Sequence, residues 1–293
     1  AVHALALAMN ARLGALGRSL RLREPDGLVT EPLQNLNKAI ADQTVDSLIL
    51  LDANPVYDAP GDLDFSETFR TVPFRLHWGP YVDETARLCH WHVPATHDLE
   101  SWGDARAHDG SVGLIQPLIE PMYQGRTALQ MLALLDTGQE REARGLLSDY
   151  WRDTAALSGG FDAAWQRWLT AGVVAEARPD FVSARPLADW AERLPEPTPD
   201  RDGLLLQFRL HPTVFDGRHA NNGWLQELPA PITKQTWGNA VQIAPATAAR
   251  LELADGDVVR LSLGERALES PVLIVPGHPP DALSLTLGHG RTA

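Results

Sequence analysis

Apolar residues in the first part of the chain recur first at helical spacing and then without a break. Leu5, Met9 and Leu13 step by four before Gly14 and Gly17, which predicts a helix packed on one face and closed by glycine. Leu33, Leu36 and Ile40 predict a second helix. Ser47-Leu48-Ile49-Leu50-Leu51 is then a short apolar run ending in Asp52-Ala53-Asn54-Pro55, the pattern of a buried strand and its carboxyl-terminal turn. Phe65 to Arg70 predicts helix, Val72 to Trp78 an extended segment, Asp83 to Leu88 a helical turn, and Trp91 to Ala95 a second short strand. Helices alternating with short buried strands point to a mostly parallel sheet covered by helices, an α/β lobe.

From Thr127 to Trp168 the pattern is helical, with Leu129, Leu132, Leu135, Leu146, Leu147, Tyr150 and Trp151 supplying apolar faces. Leu194 to Asp200 then carries three prolines in seven residues, which excludes helix and central strand. Beyond it the texture changes to short β-prone runs at Leu204–Leu210, Val241–Ile243, Val258–Leu263, Val272–Val275 and Leu283–Leu287, with one short helix from Pro245 to Leu251. Many short strands around one core predict a small β-barrel. The expected division is the end of a preceding lobe over 1–30, an α/β lobe over 31–194, a linker over 195–203 and a β-barrel domain over 204–293.

Composition changes this picture mainly by exclusion. A length of 293 residues suits two domains, and 44% hydrophobic with 22% charged residues suits folded ones. The longest apolar runs are far short of a membrane span, so membrane association is expected only through partners. A formal net charge of -13 and a pI near 5.1 disfavour nucleic acid, whose affinity comes from lysine and arginine. The single cysteine, Cys89, excludes an internal disulfide and a cysteine-ligated iron-sulfur cluster built from this chain alone.

Candidate chemistry is sparse. Cys89-His90-x-His92, with His77 and His97 nearby, holds metal-capable side chains, but in an extended segment Cys89 and Trp91 point to one face and His90 and His92 to the other. No metal site is therefore expected. Asp83, Glu84, Asp98, Glu100, Asp104 and Asp109 read as helix-terminal or solvated carboxylates. No Ser-His-Asp arrangement and no phosphate-binding glycine loop is present, so no catalytic residue is assigned. Asn221-Asn222-Gly223-Trp224-Leu225-Gln226-Glu227-Leu228-Pro229 combines a left-handed turn signal with a tryptophan among polar residues. It reads either as a recognition loop or as a plug with Trp224 buried. Of nine tryptophans, Trp78, Trp91, Trp102, Trp224 and Trp237 sit beside loops, where tryptophan makes an efficient interface anchor. Trp102, Asn221, Asn222, Trp224 and Gln226 are the candidate partner-interface residues.

Two segments resemble a known family. Leu48-Ile49-Leu50-Leu51-x-x-Asn54-Pro55, Glu84-Thr85-Ala86, Val93-Pro94-Ala95, Glu100-x-x-Gly103 and Gly110 follow the order of the α/β lobe of molybdopterin oxidoreductases. Pro245-Ala246-Thr247-Ala248-x-x-Leu251 and Asp255-Gly256-Asp257-Val258-Val259 resemble that family's dinucleotide-binding barrel. Where cofactor-binding members carry threonine, asparagine and arginine after the Glu100 position, this chain has Asp104, Ala107 and Ser111, and His90 replaces an aspartate before the third strand. Asn54-Pro55-Val56-Tyr57, Cys89-His90-Trp91-His92, the Trp102–Gly110 segment, Gln116-Pro117 and Asn222–Pro229 are similar to the large iron-sulfur subunit of bacterial alternative complex III.

That resemblance implies a quinol-oxidising respiratory complex in which the molybdopterin-like part is a scaffold without molybdenum. No cofactor is then expected in this chain, and iron-sulfur clusters are expected in another part of the same subunit. The implied partners are cytochrome c and integral membrane quinol-site subunits, and the implied location is the periplasmic side of the bacterial inner membrane. The alternative reading is the C-terminal part of a molybdopterin-dependent catalytic subunit.

Overall fold

In the computed structural model, which describes residues 2–24, 31–155, 157, 159–177, 181–194 and 203–293, the chain divides into two units, Ala1–Pro197 and Thr198–Ala293. The expected linker lies outside the described residues except for residue 203.

The first unit begins with α1 (Val2–Arg12), the two-residue strand β1 (Leu22–Arg23) and α2 (Leu33–Ala41). Leu5 and Met9 lie on α1 and Leu13 just past its end, but all three face solvent and the helix has no buried residue, which corrects the expectation of a packed face. β2 (Ser47–Leu51), α3 (Pro55–Asp58), α4 (Phe65–Arg70), β3 (Phe74–Gly79) and β4 (Trp91–Pro94) follow. The three strands form a parallel sheet in sequential order, with Leu50 beside His77 and His77 beside His92. Ile40 of α2, Leu50 of β2 and Phe65, Phe69 and Val72 around α4 pack into one apolar cluster, which holds the helices on the sheet.

β5 (Gly103–Arg106) and β6 (Val112–Ile115) form an antiparallel hairpin, which the sequence reading missed. Gly103-Asp104-Ala105-Arg106 is largely exposed and has no apolar alternation, so its pairing depends on β6. The stretch expected to be helical resolves into α5 (Ala128–Thr137), α6 (Ala143–Thr154) and α7 (Phe161–Ala171). Thr127 and Gln130 form a reciprocal capping box at the start of α5, and Gly138 closes it at φ 69°. β7 (Val173–Val174) joins β6, and β8 (Phe181–Val182) pairs with β1. Val112, Leu114, Leu147, Trp151, Trp165 and Trp168 make the core beneath this second sheet.

The second unit contains β9 (Leu205–Arg209), α8 (Gly223–Glu227), β10 (Val241–Ile243), α9 (Pro245–Arg250), β11 (Val258–Leu263), β12 (Arg266–Ile274) and β13 (Ala282–Thr286). Its five strands run β11-β12-β10-β13-β9 and curl into a half-barrel. The core is Val241, Ile243, Ala248, Val272, Leu283 and Leu285. Pro245 at the first position of α9 needs no backbone donor there, and β10 is placed between β12 and β13 just before it.

Candidate partner interface

The segment between β9 and β10 is a folded loop held by backbone bonds. Asn222 sits at the amino end of α8, and its side-chain oxygen accepts from the backbone N–H of Trp224 (3.1 Å) and Leu225 (3.2 Å). Its φ of -89° is ordinary, so the asparagine serves as a helix cap and not as the left-handed turn that Asn-Asn-Gly suggested. Gln226 donates to the Ala220 carbonyl at 2.9 Å, and the backbone N–H of Trp237 donates to the Gln226 carbonyl at 3.0 Å. The returning segment of the loop is therefore tied to the helix. Phe215, Lys234 and Trp237 all take left-handed backbone conformations at φ 58–60°. Such conformations cost free energy in bulky residues and persist where surrounding bonds over-determine them.

The loop nevertheless leaves its large apolar side chains in water. Trp224 is 88% exposed, Ile232 82% and Trp237 61%, with Leu228 and Phe215 also exposed. The buried-plug reading of Trp224 is thereby overturned: α8 is one and a half turns long, and its capped end turns the indole outward. A cleft of about 230 Å³ beside Trp237, lined also by Gln226, Gly288, His289 and Arg291, is smaller than the space a drug-sized ligand needs.

Asn221, Asn222, Trp224 and Gln226 thus share one loop, with Asn222 and Gln226 shaping it and Trp224 displayed by it. Trp102 belongs to the other unit, where it is half-buried against the core with the Arg144 guanidinium 5.1 Å from its ring centroid. Ile232 and Leu228 were not singled out from sequence. Their neighbouring prolines at 229 and 231 were the available sign that this stretch could not retreat into a sheet or helix.

The histidines are arranged differently from their sequence grouping. His90 accepts from the Arg75 backbone N–H at 3.0 Å and stacks on Phe74, while His92 meets His77, with their Nδ1 atoms 2.9 Å apart. Cys89 is half-buried, and burial pushes its thiol up to about 11. Among the described residues no group of three or more His, Cys, Asp or Glu is arranged to hold a metal ion, and no helix is long and apolar enough to cross a membrane.

No family model matches the chain. It is 28% identical over 267 residues to the menaquinone reductase, molybdopterin-binding-like subunit of Nitratidesulfovibrio vulgaris (strain Hildenborough), which covers 84% of this chain and 36% of that protein. Acetylene hydratase from Pelobacter acetylenicus shares the fold, with a TM-score of 0.54 and 15% identity over 87% of this chain and 39% of its own. The chain is molybdopterin-oxidoreductase-like. It spans little more than a third of the length of either of these proteins.

The fold raises the question of a pterin dinucleotide, whose phosphates would favour backbone N–H groups or cations at the carboxyl ends of parallel strands. Here those ends are engaged by the chain itself. Asn54 accepts from the Thr85 backbone N–H and hydroxyl and donates to Glu84 at 2.8 Å. The backbone at Gly125 and Arg126 lies along the end of β4, where Arg126 N–H donates to Pro94 and its carbonyl accepts from Thr96 N–H and from the Trp78 indole. A β-carbon on Gly125 would come within 3.0 Å of the Thr96 nitrogen, so this strap is in close contact. The Arg126 guanidinium is turned to Glu140. Asp83 and Glu84 add negative charge at the same end. These residues do not fit a phosphate-bearing group at this edge of the sheet.

Proposed function

We propose that this chain is a non-catalytic, partner-binding part of a subunit of a respiratory electron-transfer complex that exchanges electrons with the quinone pool. The observation that carries the reading is Trp224, held almost wholly in solvent by a capped helix in the same loop that exposes Trp237 and Ile232. Preformed aromatic side chains lose little freedom on docking and bury a large area, which is why tryptophan dominates interface energetics. The relative's name, a menaquinone reductase subunit that is molybdopterin-binding-like, supports the quinone chemistry of the whole complex. The resemblance to alternative complex III supports a quinol-oxidising assembly on the periplasmic side of the inner membrane. In it, cytochrome c and integral membrane quinol-site subunits are the partners, and iron-sulfur clusters reside in another part of the same polypeptide.

In this role the chain needs no cofactor of its own, and the engaged strand ends of the parallel sheet support that. Trp224→Ala in the full-length subunit tests the interface. Its recovery with the intact complex is expected to weaken by at least about 1 kcal/mol, roughly fivefold in Kd, with the thermal midpoint of the isolated subunit unchanged. Normal recovery by a variant whose own stability had fallen would mean that Trp224 serves the fold and not a partner.

A further inference from the structure

His77 and His92 are neighbours in the register of β3 and β4, and their rings meet edge to edge, with planes within 19° of each other and centroids 5.1 Å apart. Their Nδ1 atoms face each other at 2.9 Å, which requires that one carry the hydrogen and the other accept it. On the far side of the His77 ring, Nε2 lies 3.5 Å from Oδ2 of Asp83, a long ion contact without hydrogen-bond alignment, and it has no other hydrogen-bond partner. Asp83 is itself positioned by accepting from the Ala86 backbone N–H at 2.8 Å. His77 is 1% exposed, whereas His92 is half-buried and is the member that solvent reaches. Gly79 leaves the room this needs, because a β-carbon there would lie 2.5 Å from Cε1 of His77.

We infer that Asp83, His77 and His92 form a proton-binding site that takes up one proton at His92 and shares it inward toward the Asp83 carboxylate. The argument is one of tautomers. If His77 carried its hydrogen on Nδ1, its bare Nε2 lone pair would face an anionic carboxylate inside the protein, where such repulsion is poorly screened. With the hydrogen on Nε2, that N–H faces Asp83, and Nδ1 of His77 must accept from Nδ1–H of His92. His92 is thereby left with a bare Nε2, the atom at which a proton from water can add. Once it adds, the Nδ1 proton of His92 can pass to His77 along the 2.9 Å hydrogen bond between the two nitrogens, and the charge then sits beside Asp83. One proton enters and no electron moves.

A second proton is excluded because two imidazolium rings would point N–H groups at each other. Leu50 of β2 flanks His77 in register, His92 lies on β4 and Asp83 comes from the connection after β3. Cys89 also feels Arg75 and Asp83. Burial and His77 hold His92 below the ordinary histidine value, while Asp83 opposes them. His92 therefore takes its proton on the acid side of 6.5.

Nitrogen-15 NMR of the imidazoles in the intact protein, assigned with His77→Gln and His92→Gln, tests this. The expected result at pH 8 is the Nδ1–H tautomer for His92 and the Nε2–H tautomer for His77. The pair should take up one proton on acidification, with the His92 signals titrating below 6.5. Asp83→Asn should move the His92 titration further down, since it removes the attraction of the Asp83 carboxylate for the added charge. An Nε2–H tautomer for His92, or two independent protonations, would overturn the inference. The tautomer measurement needs only the unaltered protein, so it stands even if a variant fails to fold.

Discussion

Trp151 donates its indole N–H to the Asp104 carboxylate at 2.9 Å, joining α6 to the first strand of the β5–β6 hairpin. Asp104 is one of the positions that the resemblance to molybdopterin oxidoreductases singled out as a departure from the expected cofactor-binding pattern. Here its carboxylate is used to satisfy a donor on a ring that is almost completely buried in the core.

Removing that acceptor should therefore appear as lost stability. Asp104→Ala is expected to cost about 1–2 kcal/mol, because the buried indole N–H loses a charged partner, while Asp104→Asn keeps an acceptor and costs less. For a unit of this size the alanine variant should unfold roughly 2–8 °C lower in a thermal scan. An unchanged midpoint would mean that water replaces the carboxylate at no cost.

Cys89 should be a slow thiol. Because burial raises it to about 11, only about a thousandth of it is thiolate at pH 8, against about a tenth for a thiol at the ordinary value of 9.0. Alkylation by iodoacetamide at pH 8 is expected to run roughly a hundredfold slower in the folded protein than after denaturation. Equal rates would refute the raised value.

The protein should lose stability on mild acidification. His92, His211 and His289 are all held below 6.5, with burial as the first cause in each. In the unfolded chain they bind protons at about 6.5, so folding favours their neutral forms. The stabilisation is complete above 6.5 and is lost as pH falls through the depressed folded values. Urea midpoints should hold from pH 8 to about 6.5 and decline below it. The His289→Gln variant should show a shallower decline, since it also removes the charge that acts on His211. A flat profile down to pH 5 would contradict this.

A molybdenum measurement separates the scaffold reading from the catalytic one. Full-length subunit purified from cells supplied with molybdate is expected to hold far less than one molybdenum per chain and to release no pterin fluorescence on denaturation. Stoichiometric metal would place the chain with the catalytic subunits and would locate the cofactor away from the engaged ends of β2–β4.

Much of the fold was legible because it rests on local patterns. Val241–Ile243 and Val258–Leu263 are strands with the boundaries expected, and Ser47–Leu51 is the first strand of a parallel sheet. What was not legible depends on residues far apart in sequence. Gly103–Arg106 is a strand only because Val112–Ile115 pairs with it. His77, which the sequence placed only near the Cys89-His90-x-His92 cluster, meets His92 through the register of two strands, while Cys89, His90 and His97 take other partners. Asn222 carried the composition of a turn and acts as a helix cap, a choice decided by whether a helix follows. The outward direction of Trp224 had no sequence signature, since an indole among polar residues fits a plug and an anchor equally well.

The strap at Gly125 and Arg126 also bears on how the protein behaves in a crowded solution. β4 is the last strand of its sheet, and Ala95 and Arg126 form a parallel bridge along its outer side. An unpaired outer strand is a template on which another molecule's backbone can add. By occupying the carboxyl-terminal stretch of that edge with its own peptide groups, the chain shortens the open template, and the charged Arg126 and Glu140 pair stands guard beside it. The same contact that closes the strand ends to phosphate therefore also discourages self-association through the sheet.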